Sequence, residues 1–342
     1  MQMNPETFTF SKKSVDYFFS ASIRQLVKLA DKKNAVIITD DHVFDAHKEK
    51  LKGWNVISLK PGEEYKVQAT VDSVIDTLIQ MQADRNTTLI GVGGGVITDL
   101  TGYIASVYMR GINFGFVPTS LLAMVDASVG GKNGIDVGQF KNMVGVIRQP
   151  SFLLYDISLL NTLPVSNWSD GFAEIIKHAC ILDAKAFSML EGEDIASIRK
   201  KKELLSFIIK RNALLKTKVV QKDEFEKGDR KLLNYGHTLG HALETQYELS
   251  HGQAISLGMV YAAKLSEHLL GFKDANRVAS LLEQYGLPIE AAFKMDKVLA
   301  ILRMDKKRVS KHMNYVLLEK VGKGVIHPIE LRKLELLLKK LA

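Results

Sequence analysis

Short apolar runs alternate with helical periodicity through the first 162 residues. Ala35–Thr39 (AVIIT), Val56–Leu59 (VISL), Thr88–Val92 (TLIGV), Phe114–Val117 (FGFV) and Phe152–Tyr155 (FLLY) read as strands buried on both faces. Between two of them, Val71, Val74, Ile75, Leu78 and Ile79 recur at helical spacing and predict one apolar helix face. This alternation predicts an α/β dinucleotide-binding domain over 1–162, with a doubly wound, mostly parallel sheet. From Leu163 the texture changes: Leu204–Val220, Ala254–Leu270 and Asn276–Tyr285 carry i, i+3, i+4 patterns, and strand signals are scarce. A mainly α-helical domain over 163–342 is expected, with the boundary near Asn161–Pro164. No solenoid repeat or Gly/Ser-rich linker interrupts either half.

Composition narrows the class without changing this picture. A chain of 342 residues, 46% hydrophobic and 25% charged, can bury an ample core without disulfide staples. The single cysteine, Cys180, excludes an internal disulfide. The N-terminus has no charged start followed by an apolar run, and Gly102–Val117 is interrupted by Arg110 and Asn113. A cytoplasmic protein with no membrane partner is expected. Charge separates the halves: 1–162 holds 16 basic and 16 acidic residues, whereas 163–342 holds 30 and 22, so the whole +8 excess lies in the second. Such an excess suits either a nucleic acid or a small anion collected in a cleft. The runs Arg199–Lys202 and Lys306–Arg308 read most simply as solvated helix faces, and no zinc-finger, helix-turn-helix or aromatic-interleaved basic motif accompanies them. Nucleic acid is not an expected partner.

Two glycine clusters and a histidine cluster carry candidate chemistry. Gly91-Val92-Gly93-Gly94-Gly95-Val96-Ile97-Thr98-Asp99 follows a strand and opens a helix, which lets backbone N–H groups approach a pyrophosphate. It departs from G-x-G-x-x-G because Val96 takes the third glycine position, so a tight structural turn is the competing reading. Val129-Gly130-Gly131-Lys132-Asn133-Gly134, with Lys141-Asn142 beyond it, suits phosphate or carboxylate contacts but is not a Walker loop. His237 and His241 stand four apart, and His251 follows; Thr238 replaces the glutamate of a protease H-E-x-x-H site. These histidines still need a carboxylate. Glu174, in DGFAEIIKH, is either that ligand or an ion-pair partner of Lys177, and spacing does not choose.

Read together, several segments resemble the 3-dehydroquinate synthase family. They are PGEEYK (61–66), GGGVITDLTGY (93–103), Arg110 through VPTSLLAMVDASVGGKNGID to KNMVG (141–145), LPVSNWSDGFAEIIKH (163–178), and LLNYGHTLGHALE (232–244) followed by His251-Gly252. The resemblance implies an NAD- and metal-dependent enzyme, using zinc or cobalt. Its reaction would convert 3-deoxy-D-arabino-heptulosonate 7-phosphate to 3-dehydroquinate and phosphate by transient oxidation, phosphate elimination, reduction, ring opening and aldol closure. It implies Glu174, His237 and His251 as metal ligands. For NAD it implies Asp40, Glu63, Lys66, Gly94, Gly95, Val96, Asp99, Thr119, Ser120, Lys141 and the segment Leu159, Leu160, Asn161, Thr162. Lys132, Lys177, Glu226, Arg230, Asn234 and His241 would be catalytic. Arg110, Asp126, Asn142, Asp170, Lys216 and one of Lys306 or Lys307 would join Lys132, Lys177, Arg230 and Asn234 around a small anionic sugar phosphate. The active site is expected in the cleft between the domains, and the assembly is expected to be a homodimer.

Thr98 stands where many members carry glycine, which is expected to add bulk beside the pyrophosphate. Alternative functions are another sugar-phosphate cyclase or a metal- and NAD-dependent polyol dehydrogenase. For Arg230 the alternative to a carboxylate contact is a pair with Glu226 on a solvated helix turn.

Overall fold

The structure is a computed structural model that describes residues 4–138, 140–306 and 311–341. Its strands are β1 (Glu6–Thr9), β2 (Ser14–Phe18), β3 (Ala35–Asp40), β4 (Asn55–Leu59), β5 (Thr88–Gly93), β6 (Asn113–Pro118), β7 (Lys132–Val137), β8 (Phe140–Ile147), β9 (Phe152–Leu154), β10 (His312–Lys320) and β11 (Lys323–Glu330). The helices are α1 (Asp41–Leu51), α2 (Gln68–Gln80), α3 (Gly95–Val107), α4 (Val165–Leu182), α5 (Ala184–Glu191), α6 (Ile195–Lys200), α7 (Lys202–Lys222), α8 (His237–Gln246), α9 (His251–Leu270), α10 (Ala275–Gln284), α11 (Met295–Lys306) and α12 (Leu331–Leu341). Internal contacts divide the chain into two units, Met1–Asn167 with Ser206–Phe225, and Trp168–Leu205 with Glu226–Ala342. The first unit therefore also takes most of α7, where the Thr217 hydroxyl donates to the Tyr17 hydroxyl at 3.0 Å.

The first unit is built on a seven-stranded sheet in the order β1-β2-β9-β6-β5-β3-β4. Every pairing is parallel except β1 with β2. All five apolar runs are strands of this sheet, and Ile37, Ile38, Leu89, Ile90, Phe114 and Val117 are buried in it. The chain steps outward from β3 to β4 and then back past β3 to β5 and β6, so the switch point lies between β3 and β5, where doubly wound sheets open a crevice at the strand C-termini. On α2 the buried stripe is narrower than the sequence pattern: Val71, Val74 and Leu78 are buried, but Ile79 is 59% exposed.

Two hairpins add to the expected elements. β7 and β8 form an antiparallel pair in the first unit, and the glycine cluster at 130–134 leads into it as a turn and strand. In the otherwise helical second unit, β10 pairs antiparallel with β11. Tyr315, Val316, Leu317 and Leu318 are all buried, and a short continuous apolar run cannot be told from a buried helix segment by periodicity.

Candidate active site

The second unit gathers the histidine cluster through close helix packing. Gly236 adopts a left-handed conformation (φ 79°) and caps α8, so His237 opens that helix. A Cβ on Gly236 would meet Met259 Cγ at 2.6 Å, and one on Gly240 would meet Ile255 Cδ1 at 2.8 Å. A Cβ on Gly258 would overlap the Gly236 carbonyl oxygen. These three glycines let α8 and α9 approach until the rings of His237 and His251 stand 5.7 Å apart. Gly252 plays the same part toward α4, because its Cβ would meet the Cα of Asp170.

Glu174 enters this cluster from α4, fully buried at 0% exposure. Its Oε1 lies 3.0 Å from His251 Nε2 and 3.4 Å from His237 Nε2, and Oε2 pairs with the Lys177 ammonium. Burial works to raise its pKa, but Lys177 and the two imidazoles hold it well below the usual carboxylate range. The two readings of Glu174 are thus compatible, since one oxygen faces the lysine and the other the imidazoles. Carboxylate and imidazole atoms within 4.8 Å of one another form an O/N/N set suited to a divalent transition metal. Burial opposes a charged ring on His251, but hydrogen bonds to Glu174 and Glu244 lift its pKa to about 10.

His241 lies beside this set, its ring 5.1 Å from His237 and 6.4 Å from His251. Desolvation and then the two neighbouring imidazoles lower its pKa, although its outer side is exposed, and the ring is neutral near pH 7. The His237 Nδ1 contacts the Tyr235 carbonyl at 3.1 Å, which leaves Nε2 toward Glu174. Glu244 was not singled out by the sequence reading. Its Oε2 lies 3.6 Å from His251 Nδ1, so it orients that ring from behind. The available signal was spacing: 237, 241 and 244 fall on one stripe of α8.

Asp170 serves first as a clamp, because Oδ1 accepts from the Ser250 hydroxyl and from Gly252 N at 3.0 Å, tying α4 to the first turn of α9. Arg230 is 2% exposed and sits on a short 3-10 turn, Asp229–Asn234, so it does not lie on a solvated helix face. Glu226 accepts from Asn234 Nδ2 at 2.7 Å. Lys307 and the Lys306 side chain lie outside the described residues.

In the first unit the glycine loop crosses the end of β5. Gly93 is required by packing, since its Cβ would meet Ile97 Cβ at 2.5 Å. Gly94 is not: its φ of −76° suits any residue, and a Cβ would meet only the Ser120 side chain, Oγ at 3.4 Å and Cβ at 3.9 Å. A glycine that the fold does not need, at the open N-terminus of a 13-residue helix, fits close approach by a phosphate group. Thr98 does not crowd this mouth. It is buried, and its hydroxyl donates to the Gly95 carbonyl at 2.9 Å.

Around the loop, Lys66 is buried with its Nζ 3.1 Å from Glu63, 3.2 Å from Asp99 and 3.8 Å from Asp136. Burial raises the Asp99 pKa to about 6 against the pull of Lys66. Lys141 reaches Glu63 at 4.0 Å, and Lys216 holds both the Asp126 carboxylate (2.9 Å) and carbonyl (2.8 Å). Asp40 caps α1 by accepting from Val43 N, and Thr119 and Ser120 follow the end of β6. Leu159 and Leu160 are buried, so only their main chain is offered, while Thr162 hydrogen-bonds His47 at 3.0 Å. Lys132 and Val96 stand at the starts of β7 and α3. Arg110 is not brought to this group: it follows the far end of α3, about 20 Å along the helix from Gly94, in a strained left-handed conformation (φ 66°).

A family model described as 3-dehydroquinate synthase N-terminal matches residues 56–170, and one described as 3-dehydroquinate synthase C-terminal matches 171–308. A 3-dehydroquinate synthase of Thermodesulfovibrio yellowstonii is 39% identical over 319 residues, covering 89% of each chain. One from a Picosynechococcus species is 43% identical over 274 residues, covering 78% of this chain and 75% of the relative. Among solved structures, 2-epi-5-epi-valiolone synthase from Streptomyces hygroscopicus, with NAD+ and Zn2+ bound, is similar with a TM-score of 0.88 at 26% identity, covering 98% of this chain and 99% of that one. 2-Deoxy-scyllo-inosose synthase, complexed with carbaglucose-6-phosphate, NAD+ and Co2+, has a TM-score of 0.86 at 25% identity and the same coverage.

Proposed function

The chain belongs to the 3-dehydroquinate synthase family, and from that premise we propose that it converts 3-deoxy-D-arabino-heptulosonate 7-phosphate to 3-dehydroquinate and phosphate. It is an NAD- and divalent-metal-dependent carbon–oxygen lyase. The observation that carries the reading to residues is the convergence of Glu174, His237 and His251 from three helices packed through glycines. When bound, the metal (zinc or cobalt) supplies a Lewis acid for a secondary alcohol, and NAD supplies a hydride acceptor that later returns the hydride.

Glu174, His237 and His251 hold the metal. The open Gly94 position and the start of α3 receive the NAD pyrophosphate, with Asp40, Glu63, Lys66, Asp99, Thr119, Ser120, Lys141 and the Leu159–Thr162 main chain around the remainder. Lys177, already desolvated beside Glu174, contributes a point charge to an anionic substrate, and Arg230 presents a planar fork suited to its carboxylate. His241, neutral near pH 7, offers a ring nitrogen to the substrate, and Asn234 is steadied by Glu226. Lys132, Asp126, Asn142, Asp170, Lys216 and one of Lys306 or Lys307 complete the substrate set in this reading, and Arg110, at the far end of α3, falls outside it.

A homodimer is the inferred assembly. Among the described residues β8 pairs only with β7, and it exposes Phe140, Met143, Val144 and Ile147, an apolar edge of the kind covered by association. The cytoplasm is the inferred compartment, on the ground that a single cysteine allows no internal disulfide; no described helix is long and apolar enough to cross a membrane.

Phosphate release from the heptulosonate phosphate, measured with and without NAD and a chelator, tests the function. Release should need both NAD and metal, with no net NADH. Accumulating NADH would instead mark a polyol dehydrogenase, and release from neutral sugar phosphates alone would mark a different cyclase.

A further inference from the structure

Asp136 belongs to none of the residue sets above, yet it sits where they meet in the first unit. It lies at an irregularity of the β7–β8 hairpin, where the register shifts between Ile135 and Val137. Such bulges re-aim a side chain that strict alternation would send elsewhere. The Asp136 backbone N–H donates to the Lys66 carbonyl at 2.8 Å, and its carboxylate, on a residue only 9% exposed, lies 3.8 Å from the Lys66 ammonium. The same oxygen, Oδ1, accepts from the backbone N–H of Asn142 at 2.7 Å. Asn142 adopts a left-handed conformation (φ 53°), which asparagine enters more readily than other non-glycine residues, and the bond from its N–H to Asp136 holds it there.

We propose that Asp136 is a positioning residue: its buried carboxylate, anchored on Lys66, holds the left-handed backbone of Asn142 and so sets the Lys141–Asn142 segment of β8 for substrate. This rests on the reading of Asn142 as a substrate contact. A carboxylate suits the task better than a neutral acceptor, because a charge-assisted hydrogen bond to a backbone N–H is the stronger one and the lysine offsets the burial of its charge. Burial raises the Asp136 pKa, and the Asn142 N–H and then Lys66 act in the opposite direction.

Two substitutions separate the acceptor from the charge. Asp136→Asn retains an acceptor for the Asn142 N–H, whereas Asp136→Ala removes it; Asp136→Val, favourable in a strand and likewise without an acceptor, replaces the Ala variant should that fail to fold. In the Ala variant KM for the heptulosonate phosphate should rise about tenfold with kcat within about threefold, and the Asn142 amide should lose hydrogen-exchange protection. The Asn variant should keep KM within about threefold of wild type and keep the amide protected. Wild-type KM and protection in the Ala variant would overturn the proposal, as would equal impairment of both variants. If the wild type releases no phosphate, the functional reading fails, and exchange at Asn142 decides the positioning role alone: lost protection in the Ala variant sustains it, and unchanged protection ends it.

Discussion

Gly258 of α9 faces the carbonyl oxygen of Gly236 with no room between them for a Cβ. Alanine at 258 would gain about 1 kcal/mol of helix propensity, but the packing conflict should outweigh it and leave the protein about 2 kcal/mol less stable. Metal affinity should fall with it, because this contact brings His237 to His251. Urea melts and metal titration check both, and a variant as stable as wild type would show that α8 and α9 have room to spare.

Gly94 offers the opposite case. Because its backbone suits any residue and a Cβ meets only the Ser120 side chain at ordinary contact distance, Gly94→Val should leave thermal stability close to wild type. Its methyl groups would occupy the mouth of α3, so NAD affinity should drop by at least about tenfold while metal content persists. Calorimetric titration with NAD gives the answer, and unchanged affinity would make the loop a structural turn only.

His251→Ala removes a ligand from the metal set, and purified protein should contain almost no metal while keeping its circular dichroism spectrum. Glu244→Gln leaves all three ligands but weakens the partner of His251 Nδ1, so metal affinity should fall about tenfold to a hundredfold in competition with a chelator. Full metal content in the alanine variant would remove His251 from the set.

Asp99 gives stability a pH signature. Its folded pKa of about 6 lies above the ordinary 3.8, so between those values the native state binds more protons than the unfolded chain. Stability from this group is therefore highest below about pH 4 and is lost as pH rises through 6, by an amount on the order of 2 to 3 kcal/mol. Asp99→Asn cannot titrate. Urea melts at pH 4 and pH 7 should show the variant gaining on wild type at the higher pH, and a constant difference would contradict the assignment.

Arg230 decides between cyclases. A charge-assisted bond from its fork to a substrate carboxylate is worth on the order of 1.5 to 3 kcal/mol, roughly 10- to 150-fold in affinity. Arg230→Lys should weaken binding of the heptulosonate phosphate by about that factor. An analogue with hydroxymethyl in place of the carboxylate should bind both proteins equally poorly. If wild type binds acid and alcohol alike, a cyclase of neutral sugar phosphates is the better account.

The parallel strands were legible in the sequence because burial on both faces leaves uninterrupted apolar runs such as AVIIT and TLIGV. The β10–β11 hairpin was not, since its run of Val316, Leu317 and Leu318 has no period of its own. Glycine alone could not separate Gly93, which packing requires, from Gly94, which the fold leaves free; that needed the positions of Ile97 and Ser120. Glu244 and Asp136 look like ordinary solvated carboxylates in one dimension, and only the fold buries them beside His251 and Lys66. Thr98 was expected to add bulk beside the pyrophosphate because side-chain size is visible in a sequence and rotamer is not.

Glu174 and His251 are 77 positions apart in the chain, with His237 between them. An ion shared by the three acts as a reversible cross-link that closes a long loop, and the unfolded chain, with its ligands scattered, offers no comparable site. By linkage, every tenfold rise in free metal above the dissociation constant adds about 1.4 kcal/mol to the folding free energy. The melting temperature of this enzyme is thus a function of metal activity, and chelator carried through purification would shift it as surely as a core mutation.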